Sequence, residues 1–174
     1  ASYRRQRQMC IRDRYLSGSG VAAASYGLPD LGVTTLENVL IDAKRITSAT
    51  SLPLLVDIDT GWGDFDAISN TIIEMGNANV AAVHIEDQIF DKRCGHRPNK
   101  QLVSIDEMQD RLKAALDAKI DDSFFIMART DALASEGIEK AIERCGKYLD
   151  VGADGIFFEA AVSIQEYKEF KNNF

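Results

Sequence analysis

Short apolar runs recur along the chain at intervals filled by helix patterns, and this alternation limits the possible folds more than any other feature. Four runs have the length of a strand, and a shorter one, Tyr15-Leu16, precedes them. Runs that are almost continuously apolar, rather than alternating, are typical of strands buried on both faces of a parallel sheet. The pattern therefore predicts a parallel α/β fold. The four runs are Leu52–Val56, Val80–Ile85, Phe124–Ala128 and Gly155–Phe158.

The segments between the apolar runs carry the start and stop signals of helices. Capping-box patterns predict helix starts at Thr34-x-x-Glu37, Ser104-x-x-Glu107 and Ser163-x-x-Glu166. Gly152 is the predicted stop of a further helix, whose apolar stripe includes Cys145. We therefore expect Cys145 to lie in the core rather than at a reactive site.

Polar side chains follow the predicted strands at the points where the strands end. The carboxyl ends of parallel strands lie on one face, and in a (β/α)8 barrel that face holds the active site. An open doubly wound sheet obeys a similar rule, but its glycine-rich fingerprint does not follow the first strand here. The favoured interpretation is therefore a (β/α)8 TIM barrel. The side chains in question are Asp57, Asp59, Glu86, Asp87, Arg129, Thr130, Asp131 and Glu159.

Three of these carboxylates, Asp57, Asp59 and Glu86, follow two neighbouring strands. Without a cation they would repel one another, and their pKa values would rise. Mg²⁺ prefers a few carboxylates together with waters and substrate oxygens, which matches this sparse set. A simpler interpretation is that such aspartates cap the following helices, and this suits Asp64. The Asp-x-Asp pattern favours a magnesium site, with Mn²⁺ as the alternative ion.

A second reactive group follows the predicted strand that ends near Glu86. Cys94 lies among cationic or ionisable side chains in the segment Asp91–Pro98, and Gly95 and Pro98 mark this segment as a loop. Positive neighbours favour the thiolate, so the thiol becomes available as a general acid or base near neutral pH. Most free cysteines are small buried hydrophobic residues, but such residues need no cationic surroundings.

Arg129 emerges from an otherwise apolar strand, where an unpaired charge would be costly. We expect its partner to be Glu159 or a carboxylate of a bound ligand. A metal site, this arginine and the Cys94 thiol together indicate that a small polycarboxylate is the substrate.

Composition excludes several other classes of function. The net charge of −7, with no basic stripe beyond the N-terminus, argues against binding to nucleic acid or to an anionic membrane. No apolar run reaches the length of a membrane span. The cysteines at positions 10, 94 and 145 lack metal-knuckle spacing, and their odd number does not suit a disulfide framework. A reducing, cytoplasmic location is therefore expected.

Residues 1–14 differ from the rest of the chain. They contain five arginines and almost no apolar periodicity. We interpret this stretch as a non-native or disordered N-terminal segment, and residues 15–174 as a partial TIM-barrel domain.

Several motifs together resemble the methylisocitrate lyase branch of the isocitrate lyase / phosphoenolpyruvate mutase superfamily. The most specific is KRCGHRPNK at 92–100, in which the residues after the histidine differ from those usual in isocitrate lyases. The resemblance implies magnesium-dependent cleavage of 2-methylisocitrate into pyruvate and succinate, in the methylcitrate cycle of propionate breakdown. The other motifs are YLSGSG (15–20), LPDLG (28–32), LPLLVDIDTGWG (52–63), HIEDQ (84–88), IMARTDA (126–132) and FFEA (157–160).

The resemblance also implies roles for individual residues. Asp57 and Asp59 match the magnesium-site aspartates, and Glu86 and Asp30 match positions that support the ion through water. Cys94 matches the acid that protonates the succinate carbanion, and Lys92 matches a neighbouring catalytic lysine. The implied substrate-binding positions are Ser17, Gly18, Ser19, Cys94, Gly95, Arg129 and Glu159. Two residues depart from the family pattern: Ser19 replaces a glycine and Phe158 a proline.

A whole barrel needs about 250 residues, whereas 174 residues here carry signals for five strand units of eight. We expect a partial barrel whose parent enzyme is a homo-oligomer, a tetramer by family resemblance. Two alternatives remain open. One is an isocitrate lyase or another superfamily lyase for 2-hydroxy or 2-oxo acids. The other is a catalytically inactive fragment.

Overall fold

Five parallel strands form one sheet in the order of the sequence, and each strand pairs with the next one along the chain. The computed structural model describes residues 13–95, 97 and 99–174. Sequential parallel pairing is the strand order of a (β/α)8 barrel, so the predicted α/β fold with five strand units is confirmed. The strands are β1 Arg14–Leu16, β2 Leu54–Asp57, β3 Ala82–Glu86, β4 Phe125–Thr130 and β5 Gly155–Phe158.

Helices connect the strands. A short helical turn, Gly18–Gly20, follows β1 and continues into a π-helical turn, Val21–Ser25. No helix in the described part of the chain is long and apolar enough to cross a membrane. The remaining helices are α1 Leu36–Ala49, α2 Phe65–Asn77, α3 Ile105–Asp117, α4 Leu133–Glu136, α5 Ile138–Val151 and α6 Ile164–Lys171.

The helix starts agree with the sequence except at α1. Ser104 and Ser163 cap α3 and α6 as predicted, and Asp64 caps α2 by accepting from the Ala67 N–H at 3.0 Å. The start of α1 was predicted one residue too early. Thr35, not Thr34, is the cap, and the Asn38 side chain completes the capping box. An asparagine amide can accept from the cap N–H as glutamate does, and the pattern search did not allow for this.

The core lies between the sheet and the helices that pack against it. Strand residues such as Val56, Val83 and Ile126 are completely buried in one cluster with helix residues such as Ile68 and Leu112. Burying a side chain of this size contributes about 1.5–3 kcal/mol, so this cluster supplies most of the stabilisation of the sheet.

A second, smaller cluster lies beneath β5 and contains Cys145, Ala141 and Phe158. Cys145 is completely buried, which confirms its predicted place in the core. Phe158, at the position where the family usually has proline, stacks on Phe170 with ring centroids 4.3 Å apart.

The register of the sheet places the polar strand ends side by side. Asp57 of β2 pairs with His84 of β3, and Glu86 of β3 pairs with Arg129 of β4. Three strands end one or two residues later than predicted, because backbone pairing continues where the side chains become polar. β1 begins at Arg14, one residue inside the segment interpreted as non-native, whereas residues 1–12 lie outside the described residues.

Candidate active site

A cavity of about 240 Å³ opens at the carboxyl ends of the strands, on the predicted face. Most of the predicted site residues line this cavity. The others, Gly18, Asp59 and Glu86, contact the lining residues Asp57, Lys92 and Arg129, respectively. The cavity is lined by Tyr15, Ser17, Ser19, Asp30, Asp57, Lys92, Cys94, Gly95, Arg129, Phe157 and Glu159.

Backbone N–H groups fix the Asp57 carboxylate at the end of β2. Gly18 N–H donates to Oδ2 at 3.1 Å, and Asp59 N–H donates to Oδ1 at 3.1 Å. Asp59 has φ 50°, a left-handed conformation that aspartate tolerates better than most residues, and it turns the chain back towards this carboxylate. Burial alone would raise the pKa of Asp57, but Lys92, Arg129 and the Asp59 N–H hold it below its usual value.

The Ser17–Ser19 turn packs tightly against the same carboxylates. A Cβ atom on Gly18 would lie 3.1 Å from Asp57 Oδ2 and 3.1 Å from Asp59 Oδ1. A side chain here would crowd both carboxylates, so glycine allows its N–H to approach the Asp57 carboxylate closely. Ser17 Oγ accepts from the Gly20 N–H at 3.3 Å and lies 3.2 Å from Ser19 Oγ, so the serine that departs from the family pattern is held within the turn.

Lys92 bridges two of the carboxylates. Its Nζ pairs with Asp59 Oδ1 and lies 3.1 Å from Asp30 Oδ1, and its side chain is 4% exposed. Burial disfavours the ammonium, but Glu86, Asp59 and Asp57 outweigh it and raise the pKa of Lys92, so this side chain is a buried cation. Burial and the neighbouring Asp57 raise the pKa of Asp59 to about 6 despite this pairing.

Arg129 pairs with Glu159 as expected, but Asp131, which was not predicted as a partner, lies closer. Nε donates to Asp131 Oδ2 at 2.9 Å, and Nη2 donates to Oδ1 at 3.2 Å. Nη2 also lies 3.3 Å from Glu86 Oε2 and 3.9 Å from Glu159 Oε2. Asp131 is nearest because it is two residues along the same chain. Glu86 Oε2 accepts no hydrogen bond from the described residues, and burial raises the pKa of Glu86 well above its usual value.

The loop that carries Cys94 closes the other side of the cavity. Cys94 is partly exposed, and its carbonyl accepts from the Arg97 N–H at 2.8 Å. Gly95 is buried, and a Cβ atom there would lie 2.5 Å from Arg129 Nη2 and 2.5 Å from Glu159 Oε1. The loop backbone therefore touches the predicted substrate-binding pair directly. His96 and Pro98 of the predicted loop lie outside the described residues.

Sequence reasoning missed three residues of this site: Tyr15, His84 and Phe157. His84 is completely buried, its Nε2 lies 3.0 Å from the Tyr15 hydroxyl, and its Nδ1 lies 3.7 Å from Asp57 Oδ1. Its ring packs against Phe157 with centroids 4.7 Å apart. Burial lowers the pKa of His84 to about 4, so the ring is neutral. The sequence did contain a signal for His84, because it is a polar residue inside a buried strand, two positions before Glu86.

The donor chemistry of the site suits a divalent cation, although the ligands are few. Among residues 13–95, 97 and 99–174, no three His, Cys, Asp or Glu side chains are grouped to hold a metal ion. Mg²⁺ needs no such cage, since it binds through one or two carboxylates and keeps several waters. Burial raises the pKa values of Asp59 and Glu86, with a further contribution from Asp57, and a bound cation would favour the ionised form of both carboxyl groups. Asp57 and Asp59 would hold this ion, with Asp30 and Glu86 in support.

A model of the phosphoenolpyruvate phosphomutase family matches residues 15–174. The chain is also 63% identical, over 157 residues, to the 2-methylisocitrate lyase of Shewanella oneidensis; these residues are 90% of this chain and 54% of that protein. The chain thus spans about half the length of the curated relatives it matches.

Solved structures at lower identity share the fold. A 2,3-dimethylmalate lyase of the PEP mutase/isocitrate lyase superfamily has a TM-score of 0.91 at 34% identity, covering 98% of this chain and 58% of that one. A phosphonopyruvate hydrolase in complex with oxalate and Mg²⁺ has a TM-score of 0.82 at 30% identity, covering 96% and 58%.

Proposed function

Because the chain belongs to the phosphoenolpyruvate phosphomutase family, we propose that its cavity is the active site of a carbon–carbon lyase that cleaves 2-methylisocitrate into pyruvate and succinate. The 63% identity to a 2-methylisocitrate lyase supports this substrate. One structural observation carries the proposal. The Gly95 backbone lies directly against Arg129 and Glu159, in a cavity that is also lined by Cys94, Asp57 and Lys92.

Substrate binding is assigned to the groups that line the cavity. The substrate is a small polycarboxylate, and the Arg129 guanidinium is suited to bind a carboxylate through paired N–H donors. Ser17 and Ser19 offer hydroxyl groups from the turn that follows β1. Glu159, which lies against Gly95, can accept from a substrate hydroxyl.

Magnesium, with manganese as the alternative, is assigned to Asp57 and Asp59. The solved complex of phosphonopyruvate hydrolase with oxalate and Mg²⁺ supports a divalent ion in this family. When bound, such an ion would polarise the substrate oxygens and stabilise developing negative charge. Asp57 is prepared for this task, since two backbone N–H groups keep its carboxylate in one orientation.

Cys94 is assigned as the general acid. Breaking the carbon–carbon bond of the substrate alkoxide gives pyruvate and a succinate carbanion, which needs one proton at carbon. The Cys94 thiol donates this proton, and the proton lost from the substrate hydroxyl restores it in the complete cycle. Lys92, held by Asp30 and Asp59, keeps positive charge beside the reacting groups while negative charge moves.

The same proposal assigns the reaction to the methylcitrate cycle of propionate breakdown, in the cytoplasm, within a homo-oligomer. These assignments rest on the similarity to the named lyase. No nucleic acid or membrane takes part in this proposed function.

A chimera tests the proposal. In the chimera, residues 15–174 replace the matched half of the Shewanella oneidensis relative. Pyruvate release from 2-methylisocitrate is measured in the presence of Mg²⁺ for the chimera, for the unmodified relative and for this chain alone. The chimera should release pyruvate and should prefer 2-methylisocitrate to isocitrate. A folded chimera that prefers isocitrate would indicate an isocitrate lyase, and one that turns over neither substrate would indicate a catalytically inactive chain.

A further inference from the structure

We propose that Lys100 and Asp131 are positioning residues that hold the Cys94–Gly95 loop against Arg129. This inference deepens the proposed function and rests on it, because the loop matters only if Cys94 and Arg129 act on a substrate. Lys100, which ends the KRCGHRPNK motif, was not among the predicted site residues, and Asp131 was predicted only to lie at the end of a strand, with no role.

Lys100 connects the loop to the end of β4. Its Nζ donates to the Gly95 carbonyl at 2.6 Å and to Asp131 Oδ1 at 2.8 Å. The two side chains are 1% and 0% exposed, respectively. A charged pair buried to this degree is costly unless its geometry and hydrogen bonds are good, so it is poor evidence for stabilisation alone.

Asp131 joins this pair to the proposed substrate-binding arginine. Its Oδ1 accepts from both Lys100 Nζ and Arg129 Nη2, and its Oδ2 accepts from Arg129 Nε. The Asp131 N–H in turn donates to Asp87 Oδ1 at 2.9 Å, which anchors it to the end of β3. The Asp131 carboxylate therefore orients both the Arg129 guanidinium and the lysine that is hydrogen-bonded to the loop.

The contact between the Gly95 backbone and Arg129, which Lys100 maintains, is tightly packed. A Cβ atom on Gly95 would lie 2.5 Å from Arg129 Nη2 and 2.5 Å from Glu159 Oε1, so the loop backbone lies directly against both groups. On the other side of Cys94, Gln88 accepts from the Arg93 N–H at 3.0 Å and donates to the Arg93 carbonyl at 2.8 Å. Cys94 is thus held between two side-chain anchors, as a group that must meet a substrate carbon requires.

Hydrogen–deuterium exchange of this chain tests the assignment without any need for turnover. In Lys100→Met, the Arg97 amide, which donates to the Cys94 carbonyl, should exchange about tenfold faster, because the loop loses a buried charge-assisted anchor. Amides of α2 should keep their rates within about twofold, since the hydrogen bonds of Lys100 go to Gly95 and Asp131. Lys100→Arg retains a cation with several donors and should restore most of the protection.

A matched control is Lys113→Met, which removes an exposed lysine paired with Asp110 at 2.9 Å. It should leave the Arg97 amide unchanged. Wild-type exchange of the loop in Lys100→Met would overturn the inference, and so would equal acceleration of the loop and α2, which indicates general destabilisation. If Lys100→Met does not fold, Asp131→Asn replaces it, and a loop as protected as in the wild type would then contradict the inference. The inactive-chain outcome of the chimera assay would leave these rates unaffected, so the two failures are distinguishable.

Discussion

Glu86 and Asp87 are adjacent in sequence, yet their carboxylates lie in two regions that differ in how fully the buried carboxylate oxygens are hydrogen-bonded. Asp87 belongs to a support network with Thr130, Arg144 and Tyr148. It accepts from the Thr130 hydroxyl at 2.7 Å and the Tyr148 hydroxyl at 2.9 Å, and Arg144 lies 3.6 Å away. Glu86 accepts one hydrogen bond, from Gln88 at 3.1 Å, and among the described residues its other oxygen accepts none.

Burial raises the pKa of both carboxyl groups, but hydrogen bonds counteract this effect more fully at Asp87. A fully satisfied buried network stabilises a fold, whereas an incompletely satisfied one costs stability and persists where function requires it. We therefore treat the support network as structural. We propose that the chemistry takes place in the cavity region. This region consists of Asp57, Asp59, Glu86, Lys92, Cys94 and Arg129.

The largest expected effect concerns the cavity region. Cys94→Ser in the chimera should lower kcat by about 10³-fold, because a hydroxyl is a far weaker acid than a thiol and general acids contribute roughly 10²–10⁴-fold. Steady-state pyruvate release measures this. Cys145→Ser is the control, since Cys145 is completely buried in the core and should leave kcat nearly unchanged. Near-normal turnover of Cys94→Ser would assign the thiol a structural role.

The next effect concerns the proposed metal site. Asp57→Asn keeps an oxygen for one of the two N–H donors, Gly18 or Asp59, and removes the charge that would hold the ion. Turnover in the chimera should fall by about 10²-fold or more, and added Mg²⁺ should no longer raise it. If the variant were fully active in the presence of a chelator, Asp57 would not be a metal ligand.

A smaller effect is expected in the support network. Tyr148→Phe removes the hydroxyl that donates to Asp87 and accepts from Arg144 at 3.2 Å. The free energy of unfolding should fall by about 1–3 kcal/mol, because both partners stay buried without this bond. Urea denaturation of this chain measures the loss, and the chimera should keep its kcat within about twofold per folded molecule. Unchanged stability would remove the distinction between the two regions.

Most of the fold could be predicted from the sequence, because local signals and the global arrangement agree. Apolar runs such as Val80–Ile85 fixed the strands to within two residues, and caps such as Ser104 fixed helix starts. The errors have local causes. Thr34 and Thr35 both precede the same apolar stripe, and only the backbone conformation distinguishes the cap.

The site was predictable only in part. Residues at strand ends, such as Asp57 and Arg129, follow from the parallel topology, which places all strand ends on one face. Contacts across the cavity do not follow from the topology, because they depend on three-dimensional distances that the spacing of residues in the sequence does not give. The prediction for Arg129 therefore named Glu159, which lies 3.9 Å away, but did not include the closer Asp131. Lys100 was overlooked because the sequence does not show which carboxylate its ammonium reaches.

Two buried cations, one in each region, allow the most direct test. Lys92→Met and Arg144→Met remove side chains that are 4% and 8% exposed, and turnover per folded molecule is measured for both in the chimera. We predict that Lys92→Met lowers this rate by about 10²-fold or more, since it removes charge from the reacting groups. Arg144→Met should lose about 3–5 kcal/mol of stability and retain nearly normal turnover. Equal losses of turnover in the two variants would contradict the separation of chemistry and support.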